Sequence, residues 1–146
     1  LFRLVGEHAE AEDLALEVFW RYYHNPPTEY DPQRVGGWLY RVALRLGFNS
    51  LRAQRRRNKY EEALGRQNLE HEGSQDPANQ VELEEQRQQV RQVLAQMKPK
   101  AARLLVLRYT GLSYAEIAAI LGIAPGSVGT LLARAEAEFQ KRYKRE

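Results

Sequence analysis

The sequence predicts an all-α protein with two small helical domains joined by a flexible acidic linker. Apolar residues recur at spacings of three and four along most of the 146 residues, whereas the alternation that marks strands is weak. The segment Gly65–Asn79 breaks this pattern with glycine, proline, asparagine and carboxylates, which bury too little surface to offset the cost of ordering. We therefore expect domains at residues 1–60 and 81–146, with the linker at 61–80.

The first domain is predicted to contain two helices. One runs from about Glu10 to Tyr23 and the other from about Val35 to Lys59. Between them, prolines and glycines predict a loop over Asn25–Gly37. Because the chain opens at Leu1 within a helical pattern rather than at a methionine, we expect that an N-terminal segment is missing.

The second domain is predicted to contain a helix-turn-helix motif. Its four helices cover Val81–Met97, Lys100–Tyr109, Ser113–Leu121 and Pro125–Tyr143. Ser113 with Glu116 three residues later forms a capping box, and Pro125 suits the start of a helix. The predicted inner faces are apolar, at Ile117, Ala118, Leu121, Val128, Leu131, Leu132, Ala135 and Phe139. The last helix is then free to enter a major groove, although a purely structural helical hairpin has the same pattern.

The outer face of that last helix carries few groups that read bases. Its residues are Gly126, Thr130, Ala133, Arg134, Ala137 and Lys141. Direct readout relies mainly on Arg, Lys, Asn and Gln side chains, so only Arg134 and Lys141 offer strong contacts. We therefore expect weak base reading here, with the basic C-terminal tail better suited to phosphates.

Composition excludes several classes of protein. The chain has no cysteine, so it forms neither disulfides nor thiolate metal sites. No apolar run approaches the roughly 18 residues of a membrane span, and no secretory signal is present, so the cytoplasm is the default compartment. His8, His24 and His71 lack metal-ligand spacing, and no phosphate-binding glycine motif occurs. We expect no catalytic set, no cofactor and no metal, and hence no enzyme.

The net charge of +3 hides a strong sorting of charge along the chain. Residues 1–20 hold five acids and one base, and residues 38–60 hold seven bases and no acid. Residues 61–89 then hold eight acids and two bases, and residues 90–146 hold ten bases and four acids. Such blocks indicate several different partners, although any single block is also compatible with an ordinary solvated face.

The long basic helix is predicted to bind single-stranded nucleic acid. We expect one buried face at Trp38, Leu39, Val42, Ala43 and Leu46, and an opposite face at Arg41, Arg45, Phe48, Arg52 and Arg55. Guanidinium groups pair with phosphates while bases stack on an aromatic ring. The alternative is a solvated basic face with Phe48 packed under the missing N-terminal segment.

The first helix is predicted to bind a protein partner. It is expected to bury Ala11, Leu14, Ala15, Val18 and Tyr22, and to expose Glu10, Asp13, Leu16, Glu17 and Trp20. Tryptophan is enriched at binding hot spots, so Trp20 among carboxylates suggests a partner with a basic rim. The alternative is that Trp20 folds back under the following loop.

Three motifs in this order resemble the extracytoplasmic-function (ECF) group of RNA polymerase sigma factors, within the sigma-70 family. The first is Ala11-Glu12-Asp13-Leu14 with Glu17-Val18-Phe19, and the second is Trp38-Leu39-Tyr40-Arg41-Val42-Ala43. The third is Gly111-Leu112-Ser113-Tyr114-Ala115-Glu116-Ile117-Ala118 with Arg134-Ala135. The resemblance covers nearly all of the chain, except that most of the family's opening helix is absent.

The resemblance implies a sigma factor that binds core RNA polymerase and directs promoter-specific initiation. The first domain, residues 1–60, would be sigma region 2, and the second, residues 81–146, would be sigma region 4. Region 2 would bind polymerase through Asp13, Leu16, Glu17 and Trp20. It would melt the −10 element through Arg41, Arg45, Phe48, Arg52, Arg55 and Arg56, with a flipped base held in the loop at 25–37. Region 4 would read the −35 element through Ser127, Thr130, Arg134 and Lys141. The implied partners are core polymerase and promoter DNA, both duplex and melted, with an anti-sigma factor as a further candidate and no membrane insertion.

Some positions depart from the family pattern. Leu16 stands where Gln is common, Arg45 stands where Asn is usual, and Gly129-Thr130-Leu131 replaces a stretch that often carries a basic residue and a serine. The last departure weakens the case for strong −35 readout. A stand-alone helix-turn-helix regulator and a sigma-like interaction module without promoter reading therefore remain as alternative functions.

Overall fold

The computed structural model describes residues 1–27, 32–64 and 77–145, with side chains at 1–27, 34–64 and 81–145. The central part of the predicted linker and residues 28–31 of the predicted loop lie outside the described residues. Within that part of the chain, every regular element is helical, which confirms the all-α fold class. The helices are α1 Phe2–Val5, α2 His8–His24, α3 Pro32–Ala63, α4 Pro77–Gln96, α5 Pro99–Tyr109, α6 Tyr114–Leu121 and α7 Val128–Tyr143.

The helix bounds correct the sequence analysis in three places. No bounds were predicted for α1, although the chain was expected to open within a helical pattern; its four residues end at Val5, before Gly6 with φ at 87°. α3 begins at Pro32 and spans 32 residues, so Gly36 and Gly37 are helical rather than part of a loop. Proline is favoured at the first turn of a helix because its missing N–H is not needed there. Residues 61–63 and 77–80 also belong to helices, although they were assigned to the linker.

The first domain packs α1 and α2 against α3. Ala11 and Val18 of α2 are buried, which confirms the predicted inner face of that helix. Gly47 allows α1 to approach closely, because a Cβ at this position would lie 2.7 Å from Cδ2 of Leu4. Nearer the N-terminus of α3, the rings of Tyr22 and Trp38 meet edge to face at 5.7 Å.

The second domain gathers α4 to α7 around an apolar interior. α5 packs on α7, and α6 packs on both of these helices. Fully buried side chains at its centre are Val93, Leu104, Leu107, Ile117 and Val128. Among the described residues, no single helix is long and apolar enough to cross a membrane, and the α6–α7 pair reaches that length only with a bend of 107°.

The two domains share one core, because α3 packs against α4 and α6 of the second domain. Leu44, Phe48 and Leu51 of α3 are buried there together with the apolar residues of α4 to α7. The predicted buried face of α3, from Trp38 to Leu46, is only half-buried, and Phe48, expected on the outer face, is fully buried. The reason is that α3 is covered on two sides, by α1 and α2 on one and by the second domain on the other.

Candidate polymerase and nucleic-acid interfaces

The outer face of α2 is a continuous apolar and acidic surface. Leu16 and Trp20 are 68% and 56% exposed, and Asp13 beside them is also exposed. The Trp20 ring lies tilted against His24, with ring centroids 4.1 Å apart, and is not folded away from solvent. Glu17, predicted on the same surface, is half-buried and forms an ion pair with Arg21 at 2.6 Å.

Two aromatic residues that the sequence analysis missed enlarge this surface. Phe19 is 61% exposed and Tyr23 is 82% exposed. The spacing from Leu16 through Phe19 and Trp20 to Tyr23 is helical, so a search for exposed as well as buried apolar stripes would have found them. Glu10 lies at the edge of the helix and accepts a hydrogen bond from the Ser50 hydroxyl at 2.6 Å, which ties α2 to α3.

The arginine face of α3 lies partly under the second domain. Arg41, Arg45, Arg55 and Arg56 remain exposed. Arg52 is half-buried, with its guanidinium carbon 5.6 Å from the centroid of the Phe48 ring. The predicted stacking surface on Phe48 is therefore not accessible in this conformation, which is a correction to the expectation that this ring lies on an outer face.

A cavity of about 280 Å³ separates part of α3 from the second domain. Its lining residues are Arg41, Leu44, Arg45, Arg103, Ile120 and Leu121. Arg103, on α5, was not singled out by the sequence analysis, since a lone arginine within a predicted amphipathic helix carries no signal of its own. Burial lowers the pKa of Arg52, and the nearby charge of Arg103 lowers it further. The contact between the domains thus brings like charges together.

The helix-turn-helix has the predicted local structure. The Glu116 carboxylate accepts hydrogen bonds from the backbone N–H and the hydroxyl of Ser113, at 2.8 and 2.7 Å, and the backbone N–H of Glu116 donates to the Ser113 hydroxyl at 3.3 Å. These bonds hold the pKa of Glu116 below its ordinary value. Gly122, with φ at 63°, ends α6 in the left-handed conformation that glycine adopts most easily.

The recognition helix presents its predicted outer face to solvent. Thr130, Arg134 and Lys141 of α7 are exposed, and so is Ser127, which lies in a 3-10 turn at Pro125–Ser127 rather than in the α-helix itself. The predicted inner residues Val128, Leu132 and Ala135 are buried. The predicted DNA-facing side chains of this helix are therefore accessible to solvent within the described residues.

A tyrosine and an arginine that the sequence analysis did not select lie next to the recognition helix. The ring of Tyr114 lies beside Gly129, whose Cβ, if present, would be 3.6 Å from Cε2 of the tyrosine. The guanidinium of Arg108 lies over the same ring, 5.7 Å from its centroid. An aromatic ring in contact with a neighbouring cation thus lies beside the start of the recognition helix.

No cluster of side chains suited to a metal ion occurs within residues 1–27, 32–64 and 77–145. His8 stacks on Phe2 at 3.9 Å, and His24 packs at a tilt against Trp20, so both rings have packing roles. His71 lies outside the described residues.

Comparison with known proteins matches both halves of the chain to one family. Residues 1–57 match sigma-70 region 2, and residues 87–139 match sigma-70 region 4. The ECF RNA polymerase sigma factor SigL of Mycobacterium tuberculosis is 32% identical over 133 residues, covering 89% of this chain and 72% of that protein. SigW of Bacillus subtilis is 30% identical over 153 residues, covering 98% and 80%.

Among solved structures, the sigma factor RpoE of Bartonella quintana, in complex with the anti-sigma factor NepR, is similar in fold. Its TM-score is 0.56 at 19% identity, covering 98% of this chain and 86% of that one. The sequence matches cover both domains in the order that the motifs predicted. The chain therefore belongs to the ECF group of the sigma-70 family of RNA polymerase sigma factors.

Proposed function

We propose that this protein binds core RNA polymerase in the bacterial cytoplasm and directs it to promoters, as a subunit without catalysis of its own. The observation that carries the proposal is the surface on α2, where apolar side chains from Leu16 to Tyr23 are exposed among carboxylates. An isolated domain has no use for such a surface in water, whereas it suits a protein partner. A helix-turn-helix regulator that acts alone does not need it.

The polymerase contact comprises the predicted residues Asp13, Leu16, Glu17 and Trp20, extended by Phe19 and Tyr23. Trp20 and Tyr23 supply large, rigid contact area, and the carboxylates steer the surface toward a basic partner. Glu17 acts less directly, because its ion pair with Arg21 already satisfies part of its charge.

Melting of the −10 element is assigned to Arg41, Arg45, Phe48, Arg52, Arg55 and Arg56 of α3. In the conformation described, Phe48 is fully buried and Arg52 is half-buried beneath the second domain. Stacking of a base on Phe48 therefore requires that the second domain first move away from α3. The exposed arginines can attract phosphates before this movement.

Reading of the −35 element is assigned to Ser127, Thr130, Arg134 and Lys141, which are all exposed. Of these, only Arg134 and Lys141 are charged. Arg108, held over Tyr114 beside Gly129, adds a cation close to the same surface. An anti-sigma factor is a further candidate partner, by analogy with the complex of the Bartonella protein.

The test is binding of the full chain to core RNA polymerase in a pull-down assay. Trp20→Ala should weaken binding by about 2 kcal/mol or more, which is roughly 30-fold, because truncating a central aromatic anchor has this effect. Since Trp20 is more than half exposed, the domain should remain folded. Tyr60→Ala is the matched control, because Tyr60 is 74% exposed at the far end of α3.

Unchanged affinity of the Trp20 variant would remove the α2 surface from the polymerase contact. Promoter-dependent run-off transcription then separates a working sigma factor from a sigma-like module. If the chain binds polymerase but supports no specific transcript from a promoter library, promoter reading has been lost.

A further inference from the structure

The cleft between the two domains is built from cations and apolar walls. Arg41 and Arg45 enter from α3, and Arg103 enters from α5, while Leu44, Ile120 and Leu121 supply the walls. Within the described residues, no carboxylate forms an ion pair with any of these three arginines. Three guanidinium groups around one cavity are an arrangement that favours an anion.

Buried donors in this interface lack acceptors. Within the same residues, neither Nε of Arg103 nor Nη2 of Arg52 has a hydrogen-bond partner, although both atoms are shielded from solvent. Buried polar groups in folded proteins nearly always have a partner, and each exception needs an explanation. Arginine also presents its N–H groups in a planar fork that fits two oxygens of a phosphate.

We propose that this cleft is a binding site for a small polyphosphate anion, held by Arg103, Arg41 and Arg45. The volume of about 280 Å³ is several times the roughly 30 Å³ that a water molecule occupies in the liquid, and it accommodates a phosphate group. The apolar walls lower the local dielectric constant and strengthen attraction between the anion and the guanidinium groups.

Occupation of the site has a consequence for the two domains. The anion contacts both of them, so it binds only when they are packed together, and a ligand that binds one state selectively stabilises that state. It also offsets the repulsion between Arg52 and Arg103 that the closed arrangement creates. The same closed state covers Phe48 and half-buries Arg52, so a bound polyphosphate opposes exposure of these two side chains to melted DNA.

Arg103 distinguishes this site from the proposed DNA surface. Arg41 and Arg45 belong to both, whereas Arg103 lies on α5 and has no assigned contact with DNA. Anion binding in the cleft does not require the proposed polymerase and promoter contacts, so either can fail without the other.

The experiment measures thermal unfolding and domain closure of the full chain with sodium triphosphate as the probe. Sodium chloride at equal ionic strength is the control for screening, and ATP is a second arm that tests a nucleotide source. Because the chain has no cysteine, cysteines introduced at Glu12 and Tyr109, both exposed, accept a dye pair for energy transfer. Saturating triphosphate should raise Tm by about 3 °C or more and increase energy transfer.

Arg103→Gln should abolish both responses, and Arg103→Ala checks that the loss does not depend on the glutamine side chain. Arg3→Ala, which removes an exposed arginine outside the cleft, should respond as the parent does. The proposal is overturned if triphosphate acts no more strongly than chloride, if it lowers energy transfer, or if the Arg103→Gln variant responds normally. Binding of the Arg103→Gln holoenzyme to a melted promoter should equal that of the parent; a loss as large as that of Arg45→Ala would reassign Arg103 to the DNA surface.

Discussion

The recognition helix and the arginine face of α3 differ in two properties that matter for DNA binding: how accessible they are and how many DNA-binding side chains they carry. The outer face of α7 is accessible throughout, yet Arg134 and Lys141 are the only strongly interacting residues assigned to it. The face of α3 carries five assigned arginines and one aromatic ring, yet that ring is fully buried and Arg52 is half-covered. The more accessible face thus lies on the second domain, and the face with more DNA-binding side chains lies on the first.

This difference shows how a chain can limit its own affinity for nucleic acid. An exposed face with several arginines and an aromatic ring binds single strands strongly and without sequence preference. With that ring buried, the outer face of α7, which is proposed to read duplex DNA, is the more accessible of the two faces. This packing is unfavourable for Arg52, because it buries the guanidinium and places it near the charge of Arg103. Both effects lower the pKa of Arg52.

The largest expected effect tests whether Phe48 is a core residue. Phe48→Ala should lower the free energy of unfolding by about 3–5 kcal/mol, because it removes a fully buried ring and leaves a cavity. Urea denaturation of the full chain measures this change. Trp20→Ala is the comparison, since Trp20 is exposed and most surface substitutions change stability by no more than about 0.5 kcal/mol.

A cost below about 1 kcal/mol for Phe48→Ala, in the range of ordinary surface changes, would break the comparison. It would mean that the second domain does not cover α3 in solution. The arginine face would then be as accessible as the recognition helix.

The next expected effect ranks the two faces on DNA. Arg134→Ala should weaken binding to the upstream duplex element by about 1–3 kcal/mol if this residue reads a base. Arg45→Ala and Arg52→Ala should instead weaken binding of the holoenzyme to a melted promoter bubble. Each should lower the salt slope by about 0.7 to 0.9 per phosphate contact removed.

We expect the α3 variants together to matter more than Arg134, because more cations act there. Salt titrations of promoter binding by the holoenzyme measure both effects. If Arg134→Ala abolishes binding while the Arg45 and Arg52 variants behave as the parent does, the ranking of the two faces is wrong.

The same comparison shows which features can be predicted from sequence. The helix-turn-helix is specified by neighbouring residues: Ser113 caps α6 with Glu116, Gly122 ends it, and the inner residues of α7 repeat at helical spacing. These signals depend only on residues close together in sequence, so they predict the motif wherever it lies in the fold. The helices α2, α4, α5, α6 and α7 were accordingly predicted to within a few residues.

The covering of α3 could not be predicted in this way, because it depends on contacts between residues far apart in sequence. A helix covered on two sides shows two apolar stripes, and the sequence analysis assigned the stripe with Trp38 to the interior and the one with Phe48 to the surface. The role of Arg103 could not be predicted for the same reason, since Arg103 lines the cleft only when α5 lies near α3. Phe19 and Tyr23 are a different case, as their helical spacing with Trp20 was available but unused.

The smallest expected effect concerns acid, and it should be confined to the helix-turn-helix. The Ser113 hydroxyl and backbone N–H hold the pKa of Glu116 below the ordinary value of 4.5. A carboxyl whose pKa is lower in the folded state contributes stability above its unfolded pKa, and this contribution is lost as the pH falls through the folded pKa. Lowering the pH from about 6 to about 3 should therefore reduce the Tm of the parent more than that of Glu116→Gln, which has no proton to take up.

Glu136→Gln, an exposed substitution on α7, is the control and should keep the acid sensitivity of the parent. Thermal unfolding followed by circular dichroism measures the difference. Equal acid sensitivity of the parent and Glu116→Gln would mean that the capping box does not persist in solution, and the recognition helix would then depend on the shared core as much as α3 does.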